Sequence, residues 1–309
     1  MKILNFGSLN IDYVYRVNSI VTPGETVRAL DMHEYCGGKG LNQSIAIARA
    51  GAKVYHAGMI GADGEQLVTM CGASGVDTSY IRTIGEKTGH TIIQVDQCGQ
   101  NSIIAYGGAN QKIDEKFIDE VLADFDRGDI LLLQNEISCL GYIIDRAYEK
   151  GMGIILNPSP IDDELLSLDL GKISMFILNE VEGFQISGER DPYAILDSMN
   201  QKFPKAEVVL TLGEDGSIYS DGTHKVRQKA YKVDAVDTTA AGDTFTGYFV
   251  AAISQGRHIK DTLDIASRAS ALAVTRNGAA PSIPSADEVI EYHVMQVSHA
   301  RQHLSTVLP

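Results

Sequence analysis

No apolar run in the chain approaches the ~18 residues that a membrane span requires, and the opening Met1-Lys2-Ile3-Leu4-Asn5-Phe6-Gly7 breaks too early for a secretion signal. Neither membrane insertion nor export is signalled, so the cytoplasm is the expected compartment. The four cysteines, Cys36, Cys71, Cys98 and Cys139, lack C-x-x-C spacing, which argues against a zinc site and a disulfide framework and makes most of them expected buried small residues. Positive charge is short as well: 26 Lys and Arg stand against 40 Asp and Glu, and a formal net charge of −14 repels nucleic acid and anionic membranes. There is no G-x-x-x-x-G-K-[ST], since Lys39 precedes Gly40 and Lys172 precedes Ile173, and no G-x-G-x-x-G follows the first strand. P-loop and dinucleotide-fold readings lose their main support.

What remains is a chain of 309 residues, 44% apolar and 21% charged, enough to bury a sizeable core. One α/β domain with a small appendage is expected over residues 1–309. Ile3 to Phe6 reads as a first strand. Beyond it Ile11, Tyr13, Tyr15 and Val17 alternate with Asp12, Val14, Arg16 and Asn18, as in a half-exposed strand outside a parallel core. Pro23-Gly24 supplies a turn. Thr91 to Val95 and Ser102 to Tyr106 flank Cys98-Gly99-Gln100 as a hairpin. A separate lid sheet is expected from strands at about 11–17, 25–36, 90–96 and 101–107. Elsewhere strands (54–60, 130–133, 153–156, 175–178, 208–211) take turns with helices (41–50, 66–73, 115–125, 142–150, 192–200, 259–276, 286–303). That alternation predicts a three-layer α/β/α core with a mostly parallel sheet, whose ligands gather at the carboxyl ends of the strands.

The densest motif is Ala235-Val236-Asp237-Thr238-Thr239-Ala240-Ala241-Gly242-Asp243-Thr244-Phe245-Thr246-Gly247. Small residues run straight into an apolar helix, so the backbone N–H groups of Ala240, Ala241 and Gly242 are open to an anion, and Asp243 becomes a candidate base beside it. An ordinary capped helix start is the alternative for this stretch alone. Gly7-Ser8-Leu9-Asn10-Ile11-Asp12 and Gly37-Gly38-Lys39-Gly40-Leu41-Asn42 place amide, carboxylate and ammonium groups near the junction of core and lid. Asn179-Glu180-Val181-Glu182 and Thr211-Leu212-Gly213-Glu214-Asp215-Gly216 lie at expected strand ends.

Taken together and in this order, from Gly7 to Pro284, these motifs resemble those of the ribokinase-like (PfkB) family of carbohydrate kinases. The resemblance implies ATP-dependent phosphorylation of a sugar, with the 5-hydroxyl of D-ribose the expected acceptor. A nucleoside or another pentose or ketose is the alternative acceptor, and a catalytically silent sugar-binding regulator is the alternative from another class. It implies Asp243 as catalytic base, with Ala240, Ala241 and Gly242 holding developing charge. Asn10, Asp12, Gly38, Lys39, Asn42 and Glu136 are implied for the sugar, and Asn179, Glu182, Thr211, Gly213 and Gly216 for the nucleotide and its Mg²⁺. A K⁺ site is implied at Asp237, Thr239, Ala273, Arg276, Gly278 and Ser282, and a homodimer through the lids. Each residue alone also fits a plain role: Asp12 a solvent-facing strand residue, Asn42 a helix cap, Lys39 a solvated charge, Glu136 a loop residue. Two departures from the family pattern, Leu41 and His90, are places where the pocket could differ.

Overall fold

In the computed structural model, which describes residues 1–293, the strands fall into two sheets. In chain order they are β1 (Ile3–Phe6), β2 (Asn10–Arg16), β3 (Asp31–Gly37), β4 (Val54–Ile60), β5 (Asp77–Thr83), β6 (Gly89–Val95), β7 (Asn101–Tyr106), β8 (Ile130–Gln134), β9 (Gly153–Asn157), β10 (Met175–Asn179), β11 (Glu207–Thr211), β12 (Ser217–Ser220) and β13 (Lys225–Gln228). Nine form the core sheet in the order β13-β12-β11-β10-β9-β8-β1-β4-β5, parallel except where β12 and β13 run antiparallel at one edge. The chain leaves β1 towards β4 and β5, then returns to build outward from β8. The order therefore reverses between β1 and β8, and a crevice opens there at the carboxyl ends.

The helices are α1 (Lys39–Arg49), α2 (Glu65–Ala73), α3 (Glu115–Leu122), α4 (Leu140–Lys150), α5 (Asp163–Ser167), α6 (Glu180–Ser187), α7 (Pro192–Lys202), α8 (Ala241–Ser254) and α9 (Ile259–Ala273). Core strands are buried on both faces, so alternate residues feed two separate apolar layers. Leu4, Phe6, Leu131, Leu133, Phe176 and Leu178 pack with α3 to α7. Ile3, Ile130, Leu132, Ile155, Ile177 and Val209 pack with α1, α2, α8 and α9. Within the second layer α8 crosses α1 with unusual closeness. A Cβ on Gly247 would lie 2.3 Å from the Ala46 Cβ and 2.9 Å from the Gln43 carbonyl, so only glycine admits this approach. That crossing sets the start of α8 against the start of α1.

The second sheet, in the order β3-β2-β6-β7, is the lid. β2 and β6 pair in parallel, and β3 and β7 flank them antiparallel. The register puts Asp12 opposite Thr91 and Tyr35 on one face, while Ile11, His90 and Tyr106 share the other. Met32, Tyr35, Ile92, Ile103, Ile104 and Tyr106 are exposed on one or the other face of this sheet.

Several boundaries differ from the sequence reading. The second lid strand begins at Asp31 rather than near residue 25, because after the Pro23-Gly24 turn the first backbone hydrogen bond to β2 is that of the Leu30 N–H to the Arg16 carbonyl (2.8 Å). β5, β13 and α6 carried no clear apolar period and were not anticipated; the first two are outer strands whose polar residues face solvent. The helices expected over 115–125 and 259–276 stop at Leu122 and Ala273. The last helix is present over 286–293, and the rest of its expected span to His303 lies outside the described residues. Only Cys71 is buried, with Cys36 partly so, which corrects the expectation for the cysteines: Cys98 sits in the β6–β7 turn and Cys139 at the start of α4, both exposed. Among the described residues no helix is long and apolar enough to cross a membrane.

Candidate active site

At the reversal of strand order, β1 ends in Gly7-Ser8 and β8 runs into Asn135-Glu136. The Ser8 hydroxyl donates to Glu136 Oε2 and accepts from the Gly40 N–H (3.2 Å), the Ser8 carbonyl takes the Leu41 N–H (3.0 Å), and Glu136 Oε2 takes the Lys39 N–H (3.1 Å). The start of α1 is thus closed by protein groups. Its side chains, rather than its backbone, face the crevice.

The start of α8 is different. Ala240 caps it in the left-handed conformation (φ 58°), and no side chain bonds its first N–H groups. A non-glycine residue there costs about 1–2 kcal/mol, and helix starts without capping side chains are ready anion sites. Of the three N–H groups expected to meet an anion, that of Ala241 points to the Thr238 carbonyl at 3.2 Å. Gly242 has open space where a Cβ would stand.

Asp243, in the first turn of α8, is 8% exposed and held from both sides. Asn42 Nδ2 donates to its Oδ2 (3.0 Å) and Gln43 Nε2 to its Oδ1 (2.9 Å). Its carboxylate raises the Lys39 ammonium above the ordinary lysine value against the opposing effect of burial, with Glu136 and Glu182 assisting. Burial pushes the Glu136 carboxyl up, opposed by Lys39 and the Ser8 hydroxyl. Burial also pushes Asp12 up to about 6, where the Thr91 hydroxyl (2.6 Å) opposes it and the Glu136 and Asp243 carboxylates add to it. One ammonium therefore serves several acidic groups around a polar crevice. The Asn42 Oδ1 is buried without a partner, as expected of an atom reserved for a ligand.

Asn10 turns its Oδ1 to Asn110 Nδ2 (2.8 Å), and Gly38, at φ 94°, caps α1 and accepts the Asn42 N–H. Asn179 and Glu182 form a reciprocal cap at the start of α6: Glu182 donates its N–H to Asn179 Oδ1 and accepts from the Asn179 N–H, each at 3.0 Å. A cavity of about 250 Å³ is lined by Lys39, Asn157, Asn179, Glu182, Gly242 and Asp243 among others. Across the Thr238–Gly242 loop lies a larger cleft of about 820 Å³, bounded by Thr211, Gly213, Gly216, Tyr231, Ala271 and Val274. The Thr211 hydroxyl donates to the Leu178 carbonyl at 3.3 Å.

For the expected cation residues, the structure joins only some. Asp237 accepts from the N–H groups of Thr239 and Gly278, both at 2.9 Å, and so ties the anion loop to the turn after α9. Ala273 accepts the Arg276 N–H, the Arg276 guanidinium pairs with Glu288 (2.6 Å), and the Ser282 hydroxyl donates to the Ala279 carbonyl. Leu41 is fully buried in the core. His90 lies between Tyr13 and Tyr106, at centroid distances of 6.0 and 5.0 Å, on the lid face turned away from Asp12. Sequence reasoning missed Ser8, Gln43, Thr91 and Asn110, and had Asn157 only as a polar residue at a strand end. Ser8 and Gln43 lie inside or beside motifs already singled out. Asn110 and Thr91 are joined to the site only by strand register and long-range hydrogen bonds.

Comparison with known proteins gives the family and supports the fold. Residues 1–286 match the model of the pfkB family of carbohydrate kinases. The chain is 35% identical over 299 residues to a ribokinase of Haemophilus influenzae, covering 93% of this chain and 96% of that protein. Among solved structures it is similar to Arabidopsis thaliana ribokinase complexed with ribose and ATP (TM-score 0.83, 29% identity, 94% of this chain and 97% of the other). It is also similar to ribokinase from Cryptococcus neoformans in complex with ADP (TM-score 0.82, 30% identity, 94% and 99%).

Proposed function

The chain belongs to the pfkB family of carbohydrate kinases, and from that premise we propose that it transfers the γ-phosphoryl group of ATP to the 5-hydroxyl of D-ribose. The observation that carries this reading is the placement of Asp243, which Asn42 and Gln43 hold and which lines the small polar cavity with Lys39 and Glu182, beside the anion loop across which the larger cleft lies. The sugar approaches from the side of Asp12, Asn42 and Glu136, with Asn10, Gly38 and Lys39 around it. The nucleotide lies in the larger cleft, against Thr211, Gly213 and Gly216.

Phosphoryl transfer asks for alignment, charge neutralisation and a proton acceptor. Asp243 takes the proton as the sugar O–H bond breaks. The new O–P bond forms to the γ-phosphorus, the bond to the β-phosphate oxygen breaks, and ADP leaves. Lys39 and the open N–H groups at the start of α8, with Ala240 and Ala241 shaping the approach, stabilise the charge that develops. Tyr13 and Tyr106 do not wall the Asp12 face, and Tyr35, which shares that face, packs on His33 at 6.0 Å. That arrangement favours a sugar over a nucleoside with its flat base.

Two cations fit the residues present. Among the described residues no cluster of three or more His, Cys, Asp or Glu is arranged to hold a metal. Mg²⁺ bound chiefly through phosphates and water needs none, and the Glu182 carboxylate on the cavity wall is a hard oxygen donor suited to ordering such water. Asp237, which the structure ties to Thr239 and Gly278, would have to be joined by the peptide carbonyls of Thr239, Ala273, Arg276 and Gly278 and by the Ser282 hydroxyl to give an all-oxygen set suited to K⁺. A cation there would add its charge behind the anion loop. The exposed apolar residues of the lid are suited to packing on a second lid as a homodimer, and a monomer by light scattering at micromolar concentration would contradict that pairing.

The test of the reaction is ADP release, measured by a coupled assay with D-ribose, deoxyribose, fructose and adenosine. Ribose is expected to give the highest kcat/KM. Preference for adenosine would transfer the chain to nucleoside phosphorylation, and no sugar-dependent ADP release would leave a sugar-binding regulator.

A further inference from the structure

Behind Asp243 runs a buried line of amides, of which Asn157 also lines the cavity of about 250 Å³. Gln43 is fully buried and uses every polar atom: Nε2 donates to Asp243 Oδ1 and to Asn157 Oδ1, each at 2.9 Å, and Oε1 accepts from Gln134 Nε2 at 2.7 Å. Gln134 in turn donates to Asn5 Oδ1 (3.0 Å), and Asn5 Nδ2 donates to the Gly40 carbonyl (2.7 Å) and Ser44 Oγ (2.8 Å). Ser44 shares a hydrogen bond of 2.7 Å with His56, whose pKa burial lowers to about 4, so the line ends on a neutral ring. The amide of Gln43 therefore has a single satisfactory orientation. Were it flipped, its carbonyl would face the Asp243 carboxylate and its N–H groups would face Gln134 Nε2.

We propose that Gln43 is a positioning residue for the reaction: locked by Gln134 and Asn157, it fixes the rotation of the Asp243 carboxylate so that Asn42 and the acceptor hydroxyl meet it in one geometry. Asn42 alone does not accomplish this, because its Oδ1 has no partner inside the protein and the amide is held only by its bond to Asp243. The inference rests on the reading of Asp243 as the base. It goes beyond that reading in assigning the orientation of the base to a side chain that touches no substrate. The charged groups around Asp243 are Lys39 on α1, Asp12 on β2, Glu136 after β8 and Glu182 on α6, and none of them is altered by changing Gln43.

The test replaces Gln43 by methionine, which keeps most of the volume and removes the hydrogen bonds. A crystal structure of Gln43→Met is expected to show the Asp243 carboxylate rotated or in more than one rotamer. With Mg-ATP and ribose, kcat is expected to fall ~10- to 100-fold, the scale of a displaced reacting group, with the sugar KM nearly unchanged. Gln134→Met frees the Gln43 amide without touching Asp243, and a smaller fall of the same kind is expected; it serves also if Gln43→Met does not fold. An unchanged Asp243 rotamer in the crystal overturns the proposal whatever the enzyme does. So does a loss of activity that raises both KM values and leaves kcat unchanged. If the unaltered protein phosphorylates no sugar, the reading of the reaction fails, while the crystallographic result still decides the role of Gln43.

Discussion

Replacing Asp243 by asparagine isolates the proton acceptor, and the hydrogen bonds around it define what else should change. The carboxylate accepts from Gln43 on one oxygen and Asn42 on the other. An amide keeps only one acceptor. Gln43 is pinned by Gln134 and Asn157, so the new carbonyl must face Gln43 and the new NH₂ must face Asn42. Asn42 can respond by turning its amide, because its Oδ1 is not engaged. The fold should survive, at the cost of weakened charge-assisted hydrogen bonds, each worth about 1.5–3 kcal/mol. Loss of a positioned general base lowers turnover by ~10²–10⁴-fold, which at 1.36 kcal/mol per tenfold corresponds to about 2.7–5.4 kcal/mol of barrier. Lys39 also loses the charge that contributes most to raising its pKa. The assay is coupled ADP release with ribose, alongside calorimetric binding of ribose and a thermal melt. The expected pattern is a collapse of kcat with sugar affinity changed only a few-fold and a cooperative melt retained. Turnover within a factor of three of the unaltered enzyme would refute the assignment of Asp243 as base.

Asp12→Asn should flatten a pH dependence. Its folded pKa of about 6 exceeds the ordinary 3.8, so the folded state binds the extra proton between those values, and stability falls as pH rises through that window. Asp12→Asn should gain relative stability above pH 6 in denaturant titrations while losing sugar affinity; equal pH slopes in both proteins would contradict this. Gly247→Ala should strain the α1–α8 crossing by about 1–3 kcal/mol, lowering the melting temperature and kcat together, and an unperturbed melt would show that the crossing relaxes freely. Replacing K⁺ by Na⁺ or a bulky organic cation at constant ionic strength should lower turnover several-fold, and Asp237→Ala should abolish the difference. Identical rates in all three salts would remove the cation from the loop. Asn42→Ala should raise the sugar KM more than the ATP KM, whereas equal increases would place Asn42 outside the acceptor site.

By itself the sequence determined the α/β core, the four-stranded lid and the local chemistry of the motifs, because each depends on short-range rules. Continuous apolar runs specify buried strands and alternating ones half-exposed strands, and small residues before an apolar helix mark a helix start that an anion could approach. It also placed Asn42 and Asp243 in separate motifs that proved to meet at 3.0 Å. Tertiary structure decided what depends on contacts across long separations. The closed start of α1 and the open start of α8 look alike as sequence, yet Ser8 and Glu136 close the first and no side chain closes the second. Pairing register decided that Thr91 meets Asp12 while His90 turns away. Edge strands such as β5 and β13 were illegible because strands with one wet side and few neighbours carry little apolar period. Gln43 was hidden for a related reason. A polar residue in a helix reads as surface until packing shows that Gln134, Asn157 and Asp243, from three distant segments, satisfy it completely in the dark of the core.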